Sequence, residues 1–293
     1  MSEIGPTAQR REVGSLLRAH RERVGLTAVE VAARVGVSAA KLSRLERGLR
    51  GLQIGDVRSL CAVYELSEEE TRELIAATRA SREPGWWTEF SGLPETAPMF
   101  FGLEMAASRV EEFDALVIPG LLQTEAYASA TFFDAQFAER LPDSVLRERV
   151  AARMQRSALL LPREEKRFHF IIDEAALRRV VSTPQVMIEQ CRALLDAAAR
   201  PNVMIQVLPF TAGIHPGLWG SFVIQVFEHA NQRDVVFVEG LWGELLVEQD
   251  AQVASYRQAF ASLTQRALDT SRSRAIIGDI MRAWRAVESE PEA

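Results

Sequence analysis

Two helix-start signals separated by a glycine constrain the beginning of this chain more than any other feature. Thr27 is followed three residues later by Glu30, a capping box that opens a helix with Val31, Ala32 and Val35 on its apolar face. Gly36 makes a turn, Val37 fills its inner side, and Ser38 caps a second helix from Ala39 to about Arg47, closed by Gly48. Two short helices joined by a tight glycine-containing turn are the helix-turn-helix arrangement. A helix precedes the pair, from about Thr7 to Val24, with Val13, Leu16, Leu17 and Val24 on one face and Gly25 as its C-terminal cap. Two more follow. Val57, Leu60, Cys61 and Tyr64 form the inner face of the fourth, and Ser67 with Glu70 opens the fifth.

Charge supports a small nucleic-acid module on a body that avoids nucleic acid. The net charge of −6 conceals a lopsided distribution. Residues 1–64 hold 11 Arg/Lys and 6 Asp/Glu, a balance of +5, which leaves −11 to the remainder. The segment GLTAVEVAARVGVSAAKLSRLERG at 25–48 closely resembles the Xre/Cro-type family of bacterial and phage regulators. That resemblance implies recognition of double-stranded DNA, with Ala39, Ala40, Ser43 and Arg44 facing bases in the major groove. Arg44 is the strongest of these, because a guanidinium can bridge O6 and N7 of guanine. Thr27, Ser38, Lys41, Arg47 and Arg50 are the phosphate-contact candidates. Where the family commonly has glutamine this chain has Ala28, which should weaken one phosphate contact without removing the site. So small a head implies a homodimer reading an inverted repeat.

Beyond Pro84 and Gly85, the pair Trp86 and Trp87 is expected to anchor a linker onto the next domain. Residues of about 99 to 160 read as helical, with Met99 to Asp114 as one amphipathic helix and another from about Ser144 to Leu160. The latter aligns Arg149, Arg153 and Arg156, a stripe expected to be a solvated or salt-bridged face or to dock an acidic partner. From Phe168 the period shortens to that of strands: Phe168–Ile172, Val203–Leu208, Phe222–Phe227, Val235–Glu239, and a fifth run at Leu245–Glu248. Helices at about 174–181 and 184–199 allow a parallel crossover between the first two, while the later strands are too closely connected to be anything but antiparallel. The fold class expected is α+β: an N-terminal five-helix helix-turn-helix domain (1–80), a linker (81–98), a mixed-sheet domain (99–285), and a flexible tail (286–293).

Phe101–Glu104, PGLLQT at 119–124, Tyr127-Ala128, DEAALRR at 173–179, RPNVMIQVLPF at 200–210 and HPG at 215–217 resemble one actinobacterial family, the WhiJ-like regulators, also described as antitoxin-like. The resemblance implies an Xre-type head before a C-terminal domain of uncharacterised biochemistry, often with a neighbouring gene for a small partner protein; the domain is expected to sense a signal, either that small protein or a small ligand. Ser182 departs from the pattern, standing where glycine is usual, and Ser157 replaces a common glutamine.

Chemistry in the second domain is sparse. Four histidines and two cysteines show no paired zinc spacing, and no cofactor is expected. Lys166 sits in a charge run that looks solvated. Cys191 reads as a core thiol more readily than as the nucleophile of a Cys191–His215–Asp173 set. The loop at 211–220 carries His215 and Trp219 near glycines and is a candidate for ligand or partner binding. Without a signal peptide or membrane span in the sequence, a cytoplasmic transcriptional regulator is the expectation. The rival is an enzyme with a DNA-binding head, with Asp173, Glu174 or His215 in acid–base roles.

Overall fold

The computed structural model describes residues 6–48, 51–82, 84–134, 141–228, 233–240 and 243–289. Two compact units form, the first from residues 1–89, 96–106 and 227–233, the second from 90–95, 107–226 and 234–293.

The first unit is built on α1 (Pro6–Arg23), α2 (Ala28–Val35), α3 (Ala39–Glu46), α4 (Ile54–Val63) and α5 (Glu68–Ala80). The capping boxes form as the sequence requires: Thr27 accepts from Glu30 N while Glu30 accepts from Thr27 N, and Ser67 and Glu70 do the same. Gly36 at φ +70° places the turn in the left-handed region that only glycine enters without strain. Val13, Leu17, Val31, Leu42, Leu45, Leu60 and Tyr64 meet in one core. Gly14 sets the approach of α1 to α3, since a Cβ there would lie 2.6 Å from the carbonyl oxygens of Leu45 and Glu46.

The same unit includes α6 (Ala97–Ala106). Trp86 stacks on Phe101 of α6 at 5.1 Å, and Trp87 is buried beside it. The tryptophans therefore pack within this unit.

The second unit is an α+β domain around a six-stranded mixed sheet of order β3-β2-β1-β4-β5-β6. Its strands are β1 (Arg109–Asp114), β2 (Arg167–Asp173), β3 (Val203–Leu208), β4 (Phe222–Val226), β5 (Val235–Gly240) and β6 (Gly243–Val247). β1, β2 and β3 run parallel, and β4, β5 and β6 are antiparallel to their neighbours. The expected helix Met99–Asp114 is corrected here. It divides into α6 and β1, and β1 is the strand that joins the parallel half to the antiparallel half.

Between β1 and β2 the chain forms α7 (Glu125–Asp134) and α8 (Asp143–Leu160); between β2 and β3 it forms α9 (Glu174–Arg178) and α10 (Pro184–Ala197). After β6 come α11 (Asp250–Arg266) and α12 (Thr270–Ser289). One face of the sheet carries Phe113, Ile171, Phe222, Ile224 and Val236 against Val253, Phe260 and Leu263 of α11. Strand alternation puts Val110, Phe170 and Ile172 on the other face, together with Glu112 and Asp114. The edge of β3 is closed by the segment leading into α12, where Leu268 N donates to Val207 O at 2.9 Å and Val207 N donates to Ser273 Oγ at 2.9 Å. Because α12 continues to Ser289, residues 286–289 are helical where a flexible tail was expected.

Candidate nucleic-acid interface and the polar end of the sheet

On α3, Leu42 and Leu45 are buried in the first unit's core, and the side chains facing away from them belong to the candidate reading surface. Ala40 and Arg44 are exposed, Ala39 and Ser43 half-buried. Arg44 makes no hydrogen bond or ion pair among the described residues, so its guanidinium is available to an incoming acceptor. Ser38 accepts from Lys41 N at 3.1 Å, a cap worth about 1 kcal/mol to the helix.

The phosphate candidates differ in how committed they are. Thr27 is exposed at the start of α2 and held by its capping box. Arg47 is exposed, with Nε donating to Ser43 O at 3.4 Å. Lys41 is engaged: its Nζ lies 3.0 Å from Asp56 Oδ1, so a phosphate must compete with a carboxylate already in place. Arg50 lies outside the described residues.

The arginine stripe of α8 is a correction. Arg156 is 7% exposed, Arg153 is half-buried, and Arg149 Nε donates to Gly92 O at 2.9 Å. Leu146, Val150 and Leu160 occupy the same helical stripe, so the arginines share the inward face of α8. They are therefore no solvated docking face. Arg153 Nη1 donates to Gln123 Oε1 at 2.8 Å, and its guanidinium lies 4.3 Å from the centre of the Phe132 ring.

Gln123 belongs to the PGLLQT segment, which is pinned from several sides. Gln123 Nε2 donates to Ile118 O at 2.7 Å, Gln190 Nε2 to Leu122 O at 2.7 Å, and Thr124 N to Gln190 Oε1 at 2.8 Å. At the carboxyl end of β1 stands Asp114, buried, with Glu112, Ser221 and the charge of Arg153 favouring its ionised form. Burial raises its carboxyl to about 6. Burial also lowers Arg153 to about 10, with Arg156 adding repulsion. Sequence reasoning missed Glu112 and Asp114, whose only signal was their period of two with Val110.

On the other side of β1's carboxyl end, His215 and Trp219 separate. His215 is buried, with Nε2 3.7 Å from Asp173 Oδ2 and its ring edge-on to Phe113 at 6.2 Å. Its Nδ1 is buried without a hydrogen-bond partner. Gly217 makes this possible, since a Cβ there would stand 2.3 Å from the Phe113 ring. Trp219 is 95% exposed, with Ile214 and Leu218 also exposed on the same loop.

The acid–base rivals are mostly in structural service. Asp173 Oδ1 accepts from Ala175 N at 2.9 Å as the cap of α9. Glu174 accepts from Arg178 Nε at 2.7 Å and from Phe210 N at 2.9 Å. Burial pushes the Cys191 thiol up to about 11, the opposite of what an activated nucleophile needs. Lys166, expected to be solvated, is 3% exposed and donates to Ala107 O. No cluster of three or more metal-capable side chains occurs among the described residues, and none of their helices is long and apolar enough to cross a membrane.

Comparison with protein families finds two matching regions. Residues 12–74 match a helix-turn-helix domain, and residues 98–279, more than half of the chain, match a domain of unknown function, DUF5753. The chain belongs to the DUF5753 family. No curated protein matches it. In this DUF5753 protein the helix-turn-helix match covers α2, α3 and most of the surrounding helices, which supports a DNA-binding regulator. The DUF5753 match covers both the Arg153–Asp114 region and the His215 loop.

Proposed function

We propose that this chain is a sequence-specific transcriptional regulator of the Xre type, cytoplasmic and homodimeric, reading an inverted repeat in double-stranded DNA. The observation that carries the reading is α3 itself: capped at Ser38, anchored by Leu42 and Leu45, and presenting an uncommitted Arg44 on its outer side. The base-facing set is Ala39, Ala40, Ser43 and Arg44; Thr27, Ser38, Arg47 and Arg50 meet phosphates, and Lys41 does so by leaving Asp56. Two heads related by a two-fold axis would contact half-sites with centres about one helical turn apart.

The DUF5753 domain, in this reading, is the WhiJ-like controller, responding to a small ligand or a small protein from a neighbouring gene. It carries acidic charge and adds nothing to DNA contact, so its use is to bias one arrangement of the heads over another. Arg149, Arg153 and Arg156 serve that role from within the domain, and the His215–Trp219 loop from its surface. Selection of bound sequences from random duplexes by the full chain tests the reading. An enriched inverted repeat is expected; a lack of enrichment over input sequence would remove it.

A further inference from the structure

The loop between β3 and β4 is firmly held, yet it turns its largest side chains to solvent. Two 3₁₀ turns carry it, Phe210–Ala212 and Pro216–Trp219. Phe210 N donates to Glu174 Oε2 at 2.9 Å, Leu218 N to His215 O at 3.2 Å, and Ala115 N to Ser221 Oγ at 3.1 Å. His215 and Gly217 are buried against the Phe113 ring, which closes the inner side of the loop. Outward stand Trp219, 95% exposed, and Ile214, 86% exposed, with Leu218 and Phe210 exposed as well. Leu116 follows Ala115 and adds another exposed apolar side chain at the Ser221 end.

A lone surface leucine needs no explanation, but five large apolar side chains on one pinned loop and its neighbour do. A whole aromatic side chain covers about 150–250 Å², so Trp219 and Phe210 alone offer on the order of 300 Å². Ile214, Leu218 and Leu116 enlarge this toward the roughly 800 Å² that each partner gives to a standard interface.

Charge selects the occupant. Residues 201–227 contain no Asp, Glu, Lys or Arg. A two-fold contact sets a patch against its own copy, so a charge near the axis meets an identical charge and is repelled. A neutral patch escapes that repulsion, although the chain beyond residue 64 carries −11. An acidic or a basic partner would find no complementary charge on this loop, and an anionic lipid surface would find no basic anchor on it. Arg266 stands beside the loop, its Nη1 3.5 Å from Ala212 O, where a polar rim belongs.

We infer that the 210–220 loop is the surface through which two copies of this chain pair, Trp219 and Ile214 of each being covered by the other's loop. The pairing rests on the homodimer reading and deepens it: the DUF5753 domains join the copies before DNA is met.

Sedimentation equilibrium of the full chain without DNA tests this at micromolar concentration. The parent is expected to be a dimer. Trp219→Glu and Ile214→Glu should each weaken self-association at least roughly tenfold, because truncating a central aromatic or aliphatic anchor and setting like charges face to face both oppose it. Val287→Ser, at an exposed apolar position of α12, should leave it unchanged. Both altered loop side chains are almost wholly exposed, and an unchanged circular-dichroism spectrum verifies that the variants fold. A parent dimer that survives both loop substitutions overturns the surface and leaves the homodimer reading intact. A parent that is monomeric alone and pairs only on an inverted repeat also overturns it, moving the pairing to the heads. A parent monomeric in both states overturns the surface and the homodimer reading together, and if that monomer sediments with phosphatidylcholine vesicles the loop belongs to a lipid surface. Conversely, a dimer lost in both variants while random-duplex selection enriches no repeat keeps the surface and removes the DNA reading.

Discussion

Arg21 grips Glu46 with two parallel hydrogen bonds, Nε to Oε1 at 2.7 Å and Nη2 to Oε2 at 3.0 Å, and so ties α1 to the last turn of α3. The same guanidinium donates from Nη1 to Leu26 O at 2.9 Å, just before α2 begins. One side chain thus fixes three helices of the head, and Glu46, buried at the end of α3, has no other ion-pair partner among the described residues. The orientation of the reading surface depends on this fork as well as on Leu42 and Leu45.

Arg21→Ala should therefore destabilise the head by about 3 kcal/mol, because it leaves a buried carboxylate unpaired. DNA affinity should fall with it, although Arg21 belongs to no reading set. Arg21→Ala together with Glu46→Leu should recover much of the stability. Chemical denaturation of the three proteins checks this, and an Arg21→Ala protein as stable as the parent would show the fork to be ornamental.

Recognition itself rests on Arg44. Arg44→Ala is expected to weaken specific binding by about 1–3 kcal/mol and to relax preference at one base position, leaving fold stability unchanged. Arg47→Ala should weaken specific and non-specific binding alike. A mobility-shift titration against matched and scrambled duplexes separates the two outcomes.

Lys41 behaves differently because Asp56 already holds it. Removing the competitor with Asp56→Asn should strengthen non-specific DNA binding and steepen its salt dependence by roughly one counterion. An unchanged slope would mean that Lys41 faces no phosphate.

The head was legible because its signals are local. Thr27, Glu30, Gly36 and Ser38 act over three or four residues, and each forms the cap or turn that its chemistry dictates. β2, β3, β4 and β5 were legible for a similar reason, as runs of β-branched and aromatic residues between breakers. β1 was not, because two of its inward positions are Glu112 and Asp114, and a buried carboxylate looks like a solvated one until its surroundings are known. The arginines of α8 failed in the same way. Arg153 and Arg156 lie among Leu146, Val150 and Leu160, and the polar groups that let them turn inward come from elements distant in sequence. The hidden polar end of the sheet escaped notice from both sides at once.

Ser182 offers a test of local strain. It stands at φ +74°, in the left-handed region, at the position where glycine was expected. The cost of holding an L side chain there is about 1 kcal/mol, so Ser182→Gly should stabilise the domain by about that amount. Gly adds flexibility to the unfolded chain, which offsets part of the gain. A thermal midpoint that drops in Ser182→Gly would mean the turn is held by something the serine supplies.

Asp114 makes stability depend on pH with a recognisable sign. Its carboxyl is raised to about 6 in the folded protein from an ordinary value of 3.8, with burial as the leading cause. Between those values the folded state binds a proton that the unfolded state has released, so Asp114 lowers stability progressively as pH rises through that window. Above about 6 the folded protein holds an ionised buried carboxylate, and the penalty is complete. Shared hydrogen bonding with Glu112 spreads the titration over the pair, so the penalty is of the order of 1–3 kcal/mol. Asp114→Asn keeps the shape and removes the ionisation. Its difference in unfolding free energy from the parent should therefore become more favourable to the variant as pH rises from 4 to 7, while carboxylates elsewhere cancel between the two proteins. Denaturation of both across that range measures the difference directly. A gap that stays constant with pH would show that Asp114 titrates normally, and that the carboxyl end of β1 is open to water.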